Sequence, residues 1–190
     1  MVTALAIFAC VAFFAAKQLP AYDFKVIMAF IAVYLVSSVY EAWIYQDPDD
    51  YVVEDDDKKS YLYLQLSFLA ALFFATIDFV EKHYTRVVEF EPYVIYLGFV
   101  LFVASCVLRW WGLKSIGRYY NPRVAVYRNH RLITDGAYAK VRHPIYLGTL
   151  LNSLAIPLVF NSWGALLIIV LFNVPALAYM GADARWGAPW

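Results

Sequence analysis

Residues 92–111 read PYVIYLGFVLFVASCVLRWW, a stretch whose lone charge, Arg109, sits near its far end. A bilayer hydrocarbon core is about 30 Å thick, and a helix rising ~1.5 Å per residue needs about 20 mostly apolar residues to cross it. The stretch meets that length. It opens on Pro92, which suits the first turn of a helix because its missing N–H would be unpaired there anyway. It closes on Trp110 and Trp111, whose amphipathic rings settle at headgroup level. The residues predict a transmembrane helix.

The same reading extends outward in both directions. Phe24 to Tyr45 has Lys25 at its start and Glu41 near its end, and Tyr61 to Val80 has only Asp78 near its own. Met1 to Ala16 is apolar but short, and Lys17 and Pro20 end it. It lacks a basic leader region, so it reads as a first membrane helix rather than a cleaved signal. Beyond residue 142 come two shorter apolar runs, Ile145 to Phe160 and Trp163 to Met180, parted by Asn161-Ser162. A tight helical hairpin is expected there, tilted or thinning the bilayer so that it spans. The expected fold class is all-α: a polytopic integral membrane protein of four N-terminal transmembrane helices plus a C-terminal helical hairpin. Residues 1–111 form the bundle, 112–180 the basic connection with the hairpin, and 181–190 a short tail.

Composition agrees. Of the 190 residues, 63% are hydrophobic, 19% aromatic and 16% charged, against roughly 45–50% apolar and about 25% charged in soluble domains. A chain this small keeps much of itself at the surface, so water would face too many apolar side chains. A soluble enzyme, a disordered tail and a secreted disulfide scaffold are excluded. Cys10 and Cys106 lie in separate apolar runs with no ligand spacing, so neither a metal site nor a disulfide is expected.

The formal charge of zero conceals a separation. Between Arg109 and Arg142 stand eight Lys or Arg residues and one acid, Asp135; the rest of the chain carries seven bases and fourteen acids. With Met1 starting in the cytosol, the two cytosolic connections hold nine Lys or Arg residues against four in the opposing ones. The positive-inside rule then places the basic connection 112–142 in the cytosol. Glu41 and Arg109 share that side and are able to pair. The acidic run DPDDYVVEDDDKK (47–59) lacks the central Gly and the alternating ligands of a calcium loop, and reads as a solvated segment. No Asp/Glu/His relay crosses the membrane, which argues against a proton pump or ion-coupled transporter.

The chemistry-bearing stretch is LITDGAYAKVRHPIYLG, residues 132–148. Pro144 fits the first helical position, which puts His143 at the N-cap with Arg142 before it and Tyr146 in the first turn. A helix start presents free N–H groups and a partial positive charge. Beside Arg142 and His143 it makes a place for a carboxylate or phosphate at the membrane surface. Gly148 removes a side chain from the next turn, so a flat group is expected to approach there.

The run GRYYNPRVAVYRNHRLITDGAYAKVRHPIYLG (117–148) resembles the isoprenylcysteine carboxyl methyltransferase and phospholipid methyltransferase superfamily. The shared pattern is a Tyr a few residues before Arg-His-Pro-x-Tyr-x-Gly, followed by a packed helical pair. Tyr138, Arg142, His143, Pro144, Tyr146 and Gly148 occupy it. The resemblance implies S-adenosylmethionine as cofactor, held where the basic connection meets the bilayer, and a lipophilic or prenylated acceptor entering sideways between helices. Membrane lipids are further partners; nucleic acid is not. It assigns Tyr138, His143, Pro144, Tyr146 and Gly148 to the cofactor and Arg142 to the catalytic role, orienting a carboxylate. Family members continue into a helix with paired glutamates, whereas GADARWGAPW after Met180 holds none. A tail truncated relative to the family and weak turnover are therefore expected.

Two other readings stay open. Membrane sterol and steroid reductases, which use NADPH, carry a similar Arg-His-Pro-Asn-Tyr ending, but here Ile145 replaces the Asn and Thr149 an acid. A non-enzymatic protein whose basic loop holds anionic lipid is the other.

Overall fold

The computed structural model describes residues 19–44, 52–55, 60–82, 84–86, 90–120, 125–127 and 133–178. The expected first helix, Met1 to Ala16, lies outside them, as do the tail and most of the acidic and basic connections.

Three long helices match the three long apolar stretches. Helix α1 is Ala21–Ile44 and α2 is Ser60–Ile77, extended by a π-helical turn Asp78–Lys82; α3 is Glu91–Ile116. Each is long and apolar enough to cross a membrane. Two shorter helices follow: α4, Pro144–Val159, and α5, which begins at Trp163–Ile168, passes through a π-helical segment Ile169–Asn173 and runs to Ala178. The all-α expectation holds for the hydrophobic body. Its one exception among the described residues is an antiparallel ribbon in which β1 (Val52–Asp55), from the acidic connection, pairs with β2 (Ala125–Tyr127), from the basic one. The acidic run, expected to be a solvated segment, thus joins the basic connection by main-chain pairing.

Helix α3 runs five residues past Trp111 because its last turn has something to bury against. Gly112 and Leu113 are buried, and a Cβ on Gly112 would come 2.8 Å from Ile145 Cγ1 and 3.3 Å from Pro144 Cγ. The same face carries Ser105, whose hydroxyl donates to the Phe102 carbonyl, and Gly98, where a Cβ would lie 2.5 Å from the Val159 amide nitrogen. Small residues seven apart bring the α3 and α4 backbones together, which is how membrane helices associate when lipid removes the hydrophobic drive. The core gathers on this seam. Phe30 of α1 meets Phe102 of α3 at 5.0 Å and Phe160 at 5.1 Å, and Phe160 meets Phe79 at 5.7 Å.

Polar groups close both ends. At one end Glu41 on α1 pairs with Arg109 on α3. At the other, Arg86 in the α2–α3 connection holds Asp23 at the start of α1 (2.9 Å) and Glu91 at the start of α3, with its guanidinium 5.0 Å above the Phe79 ring. Two carboxylates at helix N-termini also meet the positive ends of the helix dipoles.

The hairpin reaches this second end. Ser162 Oγ accepts from the Ala165 amide as the N-cap of α5 and donates to Asp78 Oδ2 at 2.7 Å. Asp78 also accepts from the Thr85 amide (3.2 Å) and hydroxyl, and Thr85 Oγ1 accepts from the Gly164 amide at 3.0 Å. Asn161 takes the turn in the left-handed region, at φ 44°. Helix α4 has 16 residues, about 24 Å of rise. It carries the chain from the start of α4, beside the end of α3, to the hairpin turn at Asp78.

Candidate functional site

Ser115 fixes the approach to α4. Its hydroxyl donates to the Trp111 carbonyl at 2.8 Å and accepts from the Ala137 amide at 3.0 Å. Gly136 lies between, at φ 60°, where a Cβ would sit 2.3 Å from Ser115 Oγ. Both conformation and space require glycine at this position. The short 3₁₀ turn Gly136–Ala139 is thereby pinned to the end of α3, and it carries Tyr138. Burial, with the phenols of Tyr146 and Tyr120 close by, pushes the Tyr138 pKa up to about 12.

The chain then turns into α4 as the sequence predicts. His143 is the N-cap, Pro144 the first helical residue, and the Leu147 amide donates to the His143 carbonyl at 3.0 Å. The His143 side chain makes no cap bond; its ring instead stacks on Tyr146, with centroids 5.7 Å apart and planes 26° apart. Arg142 and His143 are exposed, Tyr146 is half-buried and Pro144 is buried.

A cavity of about 550 Å³ opens here between the start of α4 and the end of α5. Arg142, His143 and Tyr146 form its polar rim, and Val141, Leu147, Leu150, Val174, Leu177 and Ala178 its apolar wall. The volume falls within the ~300–1,000 Å³ of small-molecule sites. Such a mixture of cation, aromatic faces and hydrocarbon wall accepts a ligand with an anionic end and an apolar or flat body.

Of the six residues singled out from sequence, the structure brings three to this cavity. Tyr138 stands behind the rim, Pro144 packs on Gly112, and Gly148 faces away. A Cβ on Gly148 would meet Arg109 Cγ at 2.5 Å and the Ser105 carbonyl at 3.3 Å. The space expected to admit a flat group is taken by helix α3. Asn152, four residues on, shares that face. Sequence reasoning missed the apolar wall, since Leu150 or Leu177 looks no different from a lipid-facing leucine. The spacing 143, 146, 147, 150 along α4 is the signal that marks one face. No cluster of metal ligands occurs among the described residues.

Comparison with known proteins bears on the same segment. Residues 96–180 match the isoprenylcysteine carboxyl methyltransferase family. The chain is also similar to the uncharacterized protein YpbQ of Bacillus subtilis (strain 168), at 26% identity over 120 residues, covering 54% of this chain and 71% of that protein. No solved structure matches it. Most of helix α3, the pinned turn and the hairpin with its cavity thus lie in the segment that is similar to the isoprenylcysteine carboxyl methyltransferase family.

Proposed function

We propose that the protein is an integral membrane methyltransferase that moves a methyl group from S-adenosylmethionine to a lipophilic acceptor at the cytosolic face of a membrane. The observation that carries this reading is the cavity, with Arg142, His143 and Tyr146 at its rim and hydrocarbon below, inside the family segment. Its chemistry fits the cofactor. The Arg142 guanidinium matches a carboxylate with parallel hydrogen bonds, the Tyr146 face attracts a cation, and the free amides of the first turn of α4 favour negative charge.

When bound, the cofactor supplies an electrophilic methyl on a sulfonium. The remaining work is positional. Arg142 and His143 hold the polar end at the rim, and Tyr146, stacked on His143, fixes the lateral position. Leu147, Leu150, Val174 and Leu177 exclude water and leave an apolar path for the acceptor's chain. Tyr138, a phenol and therefore neutral at physiological pH, stands near Tyr146 without adding charge.

Calorimetric titration of the full chain in detergent tests the reading. S-adenosylmethionine is expected to bind at micromolar concentration and NADPH not to bind. Arg142→Ala, His143→Ala and Tyr146→Ala should each weaken the cofactor about tenfold or more, while Lys140→Ala, exposed and off the cavity, should change little. Equal effects of Arg142→Ala and Lys140→Ala would point instead to diffuse attraction for anionic lipid. Preferential binding of NADPH would favour a reductase.

A further inference from the structure

Asn173 ends the π-helical segment of α5 and is fully buried. Its Oδ1 accepts from the Ser67 hydroxyl of α2, which sets the orientation of the carboxamide. Its Nδ2 has no partner among the described residues. In hydrocarbon no water is at hand to satisfy it, and buried donors are paired in nearly all native structures. Mid-helix π segments are themselves uncommon and occur often at functional sites. The orphaned donor is well placed to meet a ligand. Val174, the next residue, and Leu177, one turn further along the same face, both line the cavity. Leu64, one turn before Ser67 on α2, packs with Leu177 and Leu150, so the cavity wall continues onto the α2 face that holds Asn173.

We infer that Asn173, which lies behind the Leu150–Leu177 wall of the cavity, is a specificity-determining residue, donating through Nδ2 to a carbonyl-type oxygen on a lipid that parts Leu150 and Leu177. The inference rests on the acceptor reading of the cavity and narrows it, favouring lipids that carry a hydrogen-bond-accepting oxygen at that depth over plain hydrocarbon. Ser67 acts as a positioning residue, holding the amide so that its N–H points away from α2.

Photocapture tests this in the full chain in detergent. The two probes are a diazirine-bearing hexadecanoic acid methyl ester and the alkane of equal length bearing the same diazirine; both are neutral, so Arg142 does not discriminate between them. The wild type should capture the ester about fivefold better, the scale of one buried hydrogen bond, with label on α4 and α5. Asn173→Leu should abolish the preference while keeping alkane capture. Should that variant fail to fold, Ser67→Ala, which frees the carboxamide to turn, should reduce the preference. Equal capture of both probes by the wild type, or a preference that survives both substitutions, would overturn the assignment. Cofactor titration on the same samples separates the two proposals. An ester preference in a protein that binds no S-adenosylmethionine keeps Asn173 and removes the methyltransferase; binding with no preference does the reverse.

Discussion

Arg109 and Glu41 close a two-pronged ion pair between α3 and α1, Nε to Oε1 at 2.7 Å and Nη2 to Oε2 at 2.9 Å, while the third guanidinium nitrogen, Nη1, donates to Thr149 of α4. One side chain therefore ties three helices at the level of the cavity. Both partners are mostly buried, with 16% and 25% of their side chains exposed. Removing one strands the other, which costs about 3–5 kcal/mol in buried pairs. Arg109→Met should lower the unfolding free energy on that scale, and the double variant with Glu41→Leu should recover most of it. Denaturant unfolding in detergent reads both. Additive losses would mean that the pair is not energetically coupled.

Gly98, on the α3–α4 seam, and Gly164, at the start of α5, differ in what they meet. At Gly98 an added methyl runs into backbone, 2.5 Å from Val159 N and 2.8 Å from Leu158 C, and neither yields without moving a helix. At Gly164 the nearest atom is Phe74 Cε1, at 2.5 Å, on a ring that can rotate away. Gly98→Ala should therefore destabilise by about 2–3 kcal/mol, within the range of overpacking in tight cores. Gly164→Ala should cost clearly less. Comparing melting temperatures of the two variants checks the order, and a reversed order would mean that α4 is free to shift.

Much of this architecture was legible because lipid imposes simple rules. Apolar length predicts 24–45, 61–80 and 92–111, and the helices observed are Ala21–Ile44, Ser60–Ile77 and Glu91–Ile116. The early end predicted for α3 reflects the use of Trp110-Trp111 as a boundary. Tertiary packing of Gly112 and Leu113 carries the helix further, and no local pattern announces it. The Arg142-His143-Pro144 helix start was readable because Pro and an N-cap are local signals. Gly148 was misread because a missing side chain is equally consistent with a ligand and with a neighbouring helix; only the position of Arg109 decides. The ribbon between Val52–Asp55 and Ala125–Tyr127 was hidden for a related reason. Its strands are four and three residues long, too short for alternation to show against a charged background.

Tyr138 makes stability depend on alkaline pH. Its phenol pKa is raised from 10.0 to about 12, first by burial and then by Tyr146 and Tyr120. Below pH 10 the phenol is protonated both folded and unfolded, and its contribution is constant. Between about 10 and 12 the unfolded chain loses this proton and the folded one keeps it, so stability falls as pH rises; above about 12 the dependence flattens. Unfolding of the wild type across pH 9 to 12 should show this loss, and Tyr138→Phe should make the curve shallower. Phenolate absorbance in the folded protein should show a late-titrating tyrosine that vanishes in the variant. Identical absorbance curves would remove Tyr138 from that role.

The two polar clusters fix opposite ends of the bundle, and this gives the membrane topology a direct test. Glu41, Arg109, the ribbon and the start of α4 lie at one end; Asp23, Arg86, Glu91, Asp78 and the hairpin turn lie at the other. Lys and Arg in short connections favour the cytosolic side, and the ribbon end holds the larger share, nine against four. Asp135 and Tyr84 are exposed at the two ends, whereas Cys106 is buried as a free thiol. In a Cys10→Ser background, Asp135→Cys should react with a membrane-impermeant maleimide only when the cytosolic face is open to it. Tyr84→Cys should react only from the opposite face, and Cys106 from neither. Reaction of Asp135→Cys and Tyr84→Cys from the same face would mean that α3 does not cross the bilayer. The cavity rim would then have to be sought on a different surface.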